Sequence, residues 1–332
     1  MRLPSLRAGD ERVRFLRRSA EDPLSHDGPN VIRNLRRSPK KIASLYVYDE
    51  RGTRLYEQQC KTPEYYLRRV EAQLLRAHAR EIVELCGLLP IVELGAGTAE
   101  KTGLLLAEYA RRGTRCDYYP VDLDTETLLV AAHRLAADFP HLWVHCVGAS
   151  YREALPMLPA FPRGQLFLFL GSAFGNLENL EIDDLLSHLF RHSAAGDYVL
   201  LAADLEKDAA SIERAYHDSA GYGAQSTLNM LSHLNRRYGG NFRVEQFGYR
   251  SVYDATAKRN EVHIESLTDQ TVTLAQLGFT VTFVRSELIE AEVMWKFDPD
   301  DLGAMWARAG FTMARRWIDP VFRYGLFLLR RR

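Results

Sequence analysis

The segment Glu93-Leu94-Gly95-Ala96-Gly97-Thr98 sets two glycines one residue apart, directly after the β-branched apolar run that begins at Ile91. Glycines in such a turn take dihedrals closed to other residues and, lacking a Cβ, let a ligand approach the backbone. Two ligand classes compete for it. A dinucleotide site has a third glycine, in G-x-G-x-x-G, and faces a pyrophosphate with its helix N-terminus. Here the third position is Glu100, whose charge opposes a phosphate. S-Adenosylmethionine (SAM) carries no phosphate, and an acidic strand end with a Gly-x-Gly turn suits its cationic sulfonium and aminoacyl tail. Asp122, which ends the next apolar run, is placed to accept both ribose hydroxyls of either adenosine ligand. A plain tight turn without a ligand is the third reading.

The elements that must position this turn alternate along the chain. Apolar residues recur at helical spacing from about 69 to 87 (Val70, Leu74, Leu75, Ile82, Leu85). Strands are expected over 91–94, 117–121, 142–147, 166–170 and 198–202, with helices over 101–112, 125–138 and 182–192 between them. Strand, glycine turn and helix open a doubly wound α/β unit, with a parallel sheet covered on both faces. After Asp204 the pattern changes to a long helical region over 208–237 and strand-like alternation over 242–253, 260–266 and 280–284, an inserted α+β lobe. A helix over 299–309 and strands over 312–318 and 325–329 are expected to rejoin the first sheet.

Composition narrows the partner. The 332 residues carry 43 basic and 43 acidic side chains, a formal net charge of zero, which removes the basic footprint of a dedicated nucleic-acid binder. No apolar run approaches the roughly 18 to 20 residues of a membrane span. The Arg-rich N-terminus (Arg2, Arg7, Arg12, Arg14, Arg17, Arg18) is interrupted by Asp10, Glu11, Glu21 and Asp22, which argues against a transit peptide and reads as a solvated or loosely packed arm. Cys60, Cys86, Cys116 and Cys146 form no C-x-x-C pair and are expected to be reduced and mostly buried. H-E-x-x-H, G-x-S-x-G and P-loop patterns are absent. A cytoplasmic, monomeric enzyme of small molecules is expected, without metal, nucleic acid or membrane.

Segments flanking the turn carry a resemblance. Tyr48-Asp49-Glu50-Arg51-Gly52-Thr53-Arg54-Leu55-Tyr56, Thr62-Pro63-Glu64-Tyr65-Tyr66, the glycine turn with Lys101-Thr102, and Leu170-Gly171-Ser172-Ala173-Phe174-Gly175-Asn176-Leu177 occur in the order found in the histidine-specific SAM-dependent methyltransferases. The similarity continues through Asp204-Leu-Glu-Lys207-Asp208, Ala215-Tyr216 and Ala291-Glu292-Val-Met-Trp-Lys296-Phe297, nearly the whole chain after residue 40. It implies a Rossmann-like methyltransferase domain (70–205 plus 297–332) and a second α+β domain for the amino-acid substrate (1–69 plus 206–296). It also implies SAM-dependent N-methylation of an α-amino group, that of L-histidine, trimethylated to hercynine on the way to ergothioneine. Another amino acid, aromatic or modified, is the alternative.

Carried over by position, the resemblance assigns the cofactor to Tyr48, Gly95, Lys101, Asp122 and the Ser150-Tyr151 pair near the adenine. It assigns the amino and carboxylate groups of the substrate to Tyr65, Asn176 and Tyr216, which are also the catalytic set. Glu292 and the residue two further on, Met294, fall at the imidazole. The residue types suit these tasks. Asn offers a donor and an acceptor, and tyrosine hydroxyls can grip a carboxylate without a cation that would repel the sulfonium. Plainer readings stand beside them: a helix N-cap or a turn residue after Gly175 for Asn176, packing for Tyr65 and Tyr216, a solvated salt bridge for Glu292. The chain departs from the family at Ser150, commonly acidic, and at Met294, where a serine is usual. Val262 and Tyr56 replace a Met and a Phe of the pocket. Losing the serine removes about 0.5 to 1.5 kcal/mol of polar discrimination. Two further classes compete, a non-catalytic SAM-binding module and an NAD-dependent oxidoreductase; the amino-acid residues disfavour the first and the missing third glycine the second.

Overall fold

The computed structural model describes residues 11–17 and 24–332. The chain begins with strand β1 (Val13–Arg17), helix α1 (Gly28–Leu35), the two-residue strand β2 (Lys40–Lys41), α2 (Glu50–Gln59) and the long α3 (Leu67–Cys86). Alternation follows: β3 (Ile91–Leu94), α4 (Thr102–Arg111), β4 (Cys116–Asp122), α5 (Thr125–Asp138), β5 (Leu142–Gly148), α6 (Tyr151–Ala154), β6 (Leu166–Phe169), α7 (Asn179–Arg191) and β7 (Tyr198–Asp204). Next come α8 (Ala209–Tyr216), α9 (Tyr222–Tyr238), β8 (Phe247–Asp254), β9 (Arg259–Ser266), β10 (Gln270–Leu274), β11 (Phe279–Phe283) and β12 (Leu288–Trp295). The chain closes with α10 (Pro299–Arg308), β13 (Phe311–Ile318) and β14 (Tyr324–Arg331).

Eight strands form the main sheet in the order β1-β5-β4-β3-β6-β7-β14-β13. From β1 to β7 all neighbours are parallel, and β14 runs antiparallel to both β7 and β13. Successive residues of the central strands are buried on opposite faces, as period-two geometry requires. Leu166, Leu168 and Leu200 pack with α3, α4 and α5, while Phe167, Phe169 and Leu201 pack with α7 and α10. This is the Rossmann-like arrangement. Strand addition reverses direction on the two sides of β3, and such a switch point opens a crevice beyond the C-terminal strand ends. Gly95 after β3 and Gly171 after β6 border that crevice.

The N-terminal arm departs from expectation. Val13–Arg17 pairs in parallel with β5 as the edge strand of the main sheet, so this piece lies with the residues expected to bind the cofactor. Val13 and Phe15 supply an apolar alternation that the arginines mask. Arg12 donates to the Pro140 carbonyl (3.0 Å), and Arg14 lies over the Trp143 ring. The remainder of the arm, 1–10 and 18–23, lies outside the described residues.

A four-stranded sheet, β2-β12-β9-β8, and the β10-β11 hairpin make the second layer system. β2 pairs in parallel with β12, which joins the early segment to the insertion. The helix expected over 208–237 is broken instead into α8 and α9. The Asp218 carboxylate accepts the Tyr222 and Gly223 amides (2.9 and 2.8 Å) and starts a new helix after Gly221, whose φ is +70°. The strand expected from 242 starts only at Phe247, because 244–246 form a 3₁₀ turn. No helix among the described residues is long and apolar enough to cross a membrane, and none of their acidic, His or Cys side chains group to hold a metal ion. The four cysteines are unpaired, and three of them are buried.

Candidate active site

The crevice is a cavity of about 1120 Å³ walled by the glycine turn, Tyr48, Lys101, Asp122 and the turn after β6. Gly95 and Gly97 have φ of +72° and +49°, and a Cβ on either would meet open space, so the glycines satisfy the backbone and leave the wall free. Gly95 and Ala96 donate to the Val121 carbonyl (2.9 and 3.1 Å), and Gly97 donates to Asp122 Oδ2 (2.8 Å). The turn and the carboxylate are thus one unit, although burial raises the Asp122 pKa. Seven carboxylates line the cavity (Glu57, Glu71, Glu93, Glu100, Asp122, Asp124, Glu126) against two cations, Arg68 and Lys101. An acidic wall repels a pyrophosphate and favours a cationic ligand. That decides between the two adenosine ligands: the residues fit SAM. Glu93 is buried, accepts from Thr102 (2.6 Å) and Tyr118, and its carboxyl is pushed up to about 7 by burial.

Across the crevice, Gly171 and Ser172 both take positive φ (+77° and +56°), which is free for the glycine but disfavoured for Ser172, the kind of backbone found at functional sites. Glu71 holds this turn. It is 1% exposed, accepts the Gly171 amide (2.7 Å), the Lys101 ammonium (2.7 Å) and the Tyr324 hydroxyl (3.0 Å), and so ties the cofactor-side lysine to the turn that carries Asn176. Asn176 lines the crevice and has no side-chain hydrogen bond to the described residues. The cap of α7 is Glu178, in a capping box with Glu181, so Asn176 is no N-cap; it closes the 3₁₀ turn Ala173–Asn176 as a turn residue. Gly175 fits closely beside it: a Cβ there would sit 3.1 Å from the Trp295 carbonyl oxygen, tighter than an ordinary van der Waals contact.

Behind the crevice lies a second pocket of about 60 Å³, sharing Tyr48, Tyr56, Tyr65, Gly171 and Asn176 with it and adding Tyr216, Val262, Glu292 and Met294. Tyr48, Tyr56, Tyr65 and Tyr216 run edge to face along its wall, with centroids 6.1 to 6.4 Å apart. The Asp49 carboxylate fixes the start of this row by capping α2 through the Gly52 amide (2.7 Å) and by accepting Asn229 of α9 (2.7 Å). Burial raises the pKa of Tyr65 and Tyr216, which stay protonated donors.

A β-bulge explains Glu292. Glu290 pairs with His263 but Glu292 pairs with Val262, so the extra residue Ala291 sends the two glutamates to opposite faces of the sheet. Glu292 thereby joins Val262 and Met294 at the pocket. Among the described residues no cation or hydrogen-bond donor meets its carboxylate, which removes the salt-bridge reading, and burial pushes its carboxyl up to about 7.

Of the residues singled out from sequence, Tyr48, Gly95, Lys101, Asp122, Tyr65, Asn176, Tyr216, Glu292 and Met294 converge on these two connected cavities. Ser150 and Tyr151 follow β5 next to Asp122 (Ala149 N–H to the Asp122 carbonyl, 3.1 Å) but line neither. Ser150 Oγ bonds Glu153 (3.0 Å) and the Tyr151 hydroxyl bonds Asp184 (2.9 Å), so no side-chain geometry supports an adenine contact by either. Sequence reasoning missed Glu71 and gave Lys296 no role. A carboxylate between the core-facing Val70 and Leu74 was the available signal for Glu71.

The model of the family described as histidine-specific methyltransferase, SAM-dependent, matches residues 27–331. Histidine N-alpha-methyltransferase of Mycobacterium tuberculosis is 35% identical over 299 residues, covering 90% of this chain and 93% of that one. The protein of the same name from Mycolicibacterium smegmatis is 35% identical, covering 93% and 95%. An L-tryptophan methyltransferase of Psilocybe serbica is 25% identical, covering 90% and 91%. With the glycine turn, the acidic crevice and the adjoining tyrosine pocket in place, the match along almost the entire chain leads to one conclusion: the chain belongs to the histidine-specific family of SAM-dependent methyltransferases, and it is an N-methyltransferase.

Proposed function

We propose that the chain methylates the α-amino group of free L-histidine, in three turnovers, to hercynine. Glu292 carries this reading: a half-buried carboxylate without a protein donor, in a pocket that opens on the cofactor crevice, is completed by a ring N–H. In this reading Asn176 and Tyr65 orient the amine, Tyr216 grips the carboxylate, and Tyr48, Gly95, Lys101 and Asp122 hold SAM. Bound SAM supplies an electrophilic methyl group on a cationic sulfur. The chain's own task is to hold the nitrogen roughly 3 to 3.5 Å from the methyl carbon, in line with the breaking bond. The α-amine of a free amino acid can lose its proton to solvent before binding, so no general base is assigned. The same reading divides the molecule into a cofactor lobe, 70–205 plus 297–332 with β1 added, and a substrate lobe from the rest. An aromatic amino acid is the second reading. It is favoured by Met294, which is buried and gives the ring no second polar partner.

Glu292→Gln tests the assignment. Replacing a charged acceptor by a neutral one is expected to raise the KM for histidine about five- to tenfold with little change in kcat. A KM equal to the wild type contradicts the ring contact. Stability should move the other way. Between its ordinary value of 4.5 and about 7, Glu292 holds a proton in the folded state that the unfolded chain has lost, so wild-type stability falls as pH rises through that window. The Gln variant escapes this loss. Its melting temperature should exceed that of the substrate-free wild type by most above pH 7, with the advantage attributable to charge gone below the ordinary carboxylate value.

A further inference from the structure

β7 and β12 leave their sheets side by side. Phe297 N–H donates to the Asp204 carbonyl (3.1 Å), and Glu206 N–H donates to the Phe297 carbonyl (3.0 Å). This backbone staple holds three ionic groups together beneath the substrate pocket. Lys296, 2% exposed, pairs with Asp204 Oδ2 at 2.9 Å and donates to the Tyr216 hydroxyl oxygen at 2.9 Å. Asp204, 1% exposed, also accepts the Tyr66 hydroxyl (2.8 Å) and pairs with Lys207, whose ammonium donates to Tyr66 (2.6 Å). Two ammonium groups thus face one carboxylate. The imbalance is borne unequally: burial brings Lys207 down to about 8, whereas for Lys296 burial is outweighed by Asp204 and Tyr216 acting together, by charge and by hydrogen bond, and the ammonium stays charged.

We propose that Lys296 is the positioning residue for the substrate α-carboxylate, acting through the hydroxyl of Tyr216. A phenol oxygen that accepts from an ammonium must direct its own O–H elsewhere, and Tyr216 lines the pocket. The cation behind it polarises that O–H and strengthens its bond to an anion. Lys296 lines the back of the same pocket but is 2% exposed, so its charge favours a free carboxylate chiefly through the hydroxyl that it supports. Asp204 keeps the ammonium charged and aimed. The inference rests on the functional reading above and adds what that reading lacks, the reason a free amino acid is taken rather than its amide or a peptide end.

The test compares L-histidine with L-histidinamide as substrates of the wild type, Lys296→Met, Tyr216→Phe and the double variant, with S-adenosylhomocysteine (SAH) binding as the check on folding. The wild type should prefer the acid, and Lys296→Met should raise the KM for the acid roughly 10- to 100-fold, with a smaller change in kcat. The acid-to-amide ratio of kcat/KM should fall towards one, and SAH affinity should stay within about twofold. In the Tyr216→Phe background, Lys296→Met should add little, because the path through the hydroxyl is already cut. Should Lys296→Met alone fail to bind SAH, the charge-free pair Asp204→Asn/Lys296→Met is measured instead and should lose the same discrimination. A folded variant that keeps the wild-type ratio, or loses both substrates equally through kcat, overturns the proposal. A wild type that methylates no free amino acid overturns the functional reading and this inference with it.

Discussion

Asn176→Ala is expected to lower kcat/KM about 10²- to 10³-fold while SAH binds as in the wild type. The expectation follows from where the side chain sits. Asn176 is on the wall shared by the crevice and the inner pocket, and among the described residues nothing occupies its donor or acceptor. The backbone around it is held independently, by Glu71 on the Gly171 amide and by the close fit of Gly175 against Trp295. Truncation therefore leaves the turn in place and removes only the group that can orient an amine. The crevice wall built from Gly95, Gly97 and Asp122 is untouched. Isothermal titration with SAH alongside steady-state kinetics separates the two. Unchanged kinetics would show that the amine is oriented by other groups.

Asp122→Ala should give the opposite pattern, with SAH affinity falling about 10²- to 10³-fold, the loss of two bonds to a charged acceptor. A further effect adds to it, since Asp122 Oδ2 holds the Gly97 amide and Oδ1 holds that of Asp124 (3.0 Å), the cap of α5. Removing the carboxylate frees both donors and loosens the turn that frames the crevice. The substrate pocket should survive, so at saturating SAM much of kcat should return. An SAH affinity within threefold of the wild type would separate Asp122 from the cofactor.

The sequence exposed the Rossmann-like core because its signals are local. Ile91–Leu94, Leu142–Gly148 and Tyr198–Asp204 are apolar runs bounded by turn residues, and Thr125–Asp138 opens on an Asp cap. The edge strand Val13–Arg17 stayed hidden because arginines alternate with Val13 and Phe15 and mask the apolar period, and because its pairing partner, β5, lies far along the chain. The break between α8 and α9 depends on Asp218 reaching forward to two amides, which spacing alone does not reveal. The site divides in the same way. Gly95, Gly97 and Asp122 read out of one strand–turn–helix unit. Glu292 does not, since Glu290 and Glu292 have the same parity and only the bulge at Ala291 parts them. The Asp204–Lys296–Tyr216 chain is less legible still, being assembled from three elements by a backbone staple.

The account is tested most directly by incubating the purified protein with methyl-deuterated SAM and an equimolar pool of the twenty amino acids, then following each by mass spectrometry. Histidine should gain three labelled methyl groups, with fragmentation placing all of them on the α-nitrogen. Label on a different amino acid, on the imidazole ring, or on none of the twenty would contradict the assignment of the Glu292 pocket to histidine.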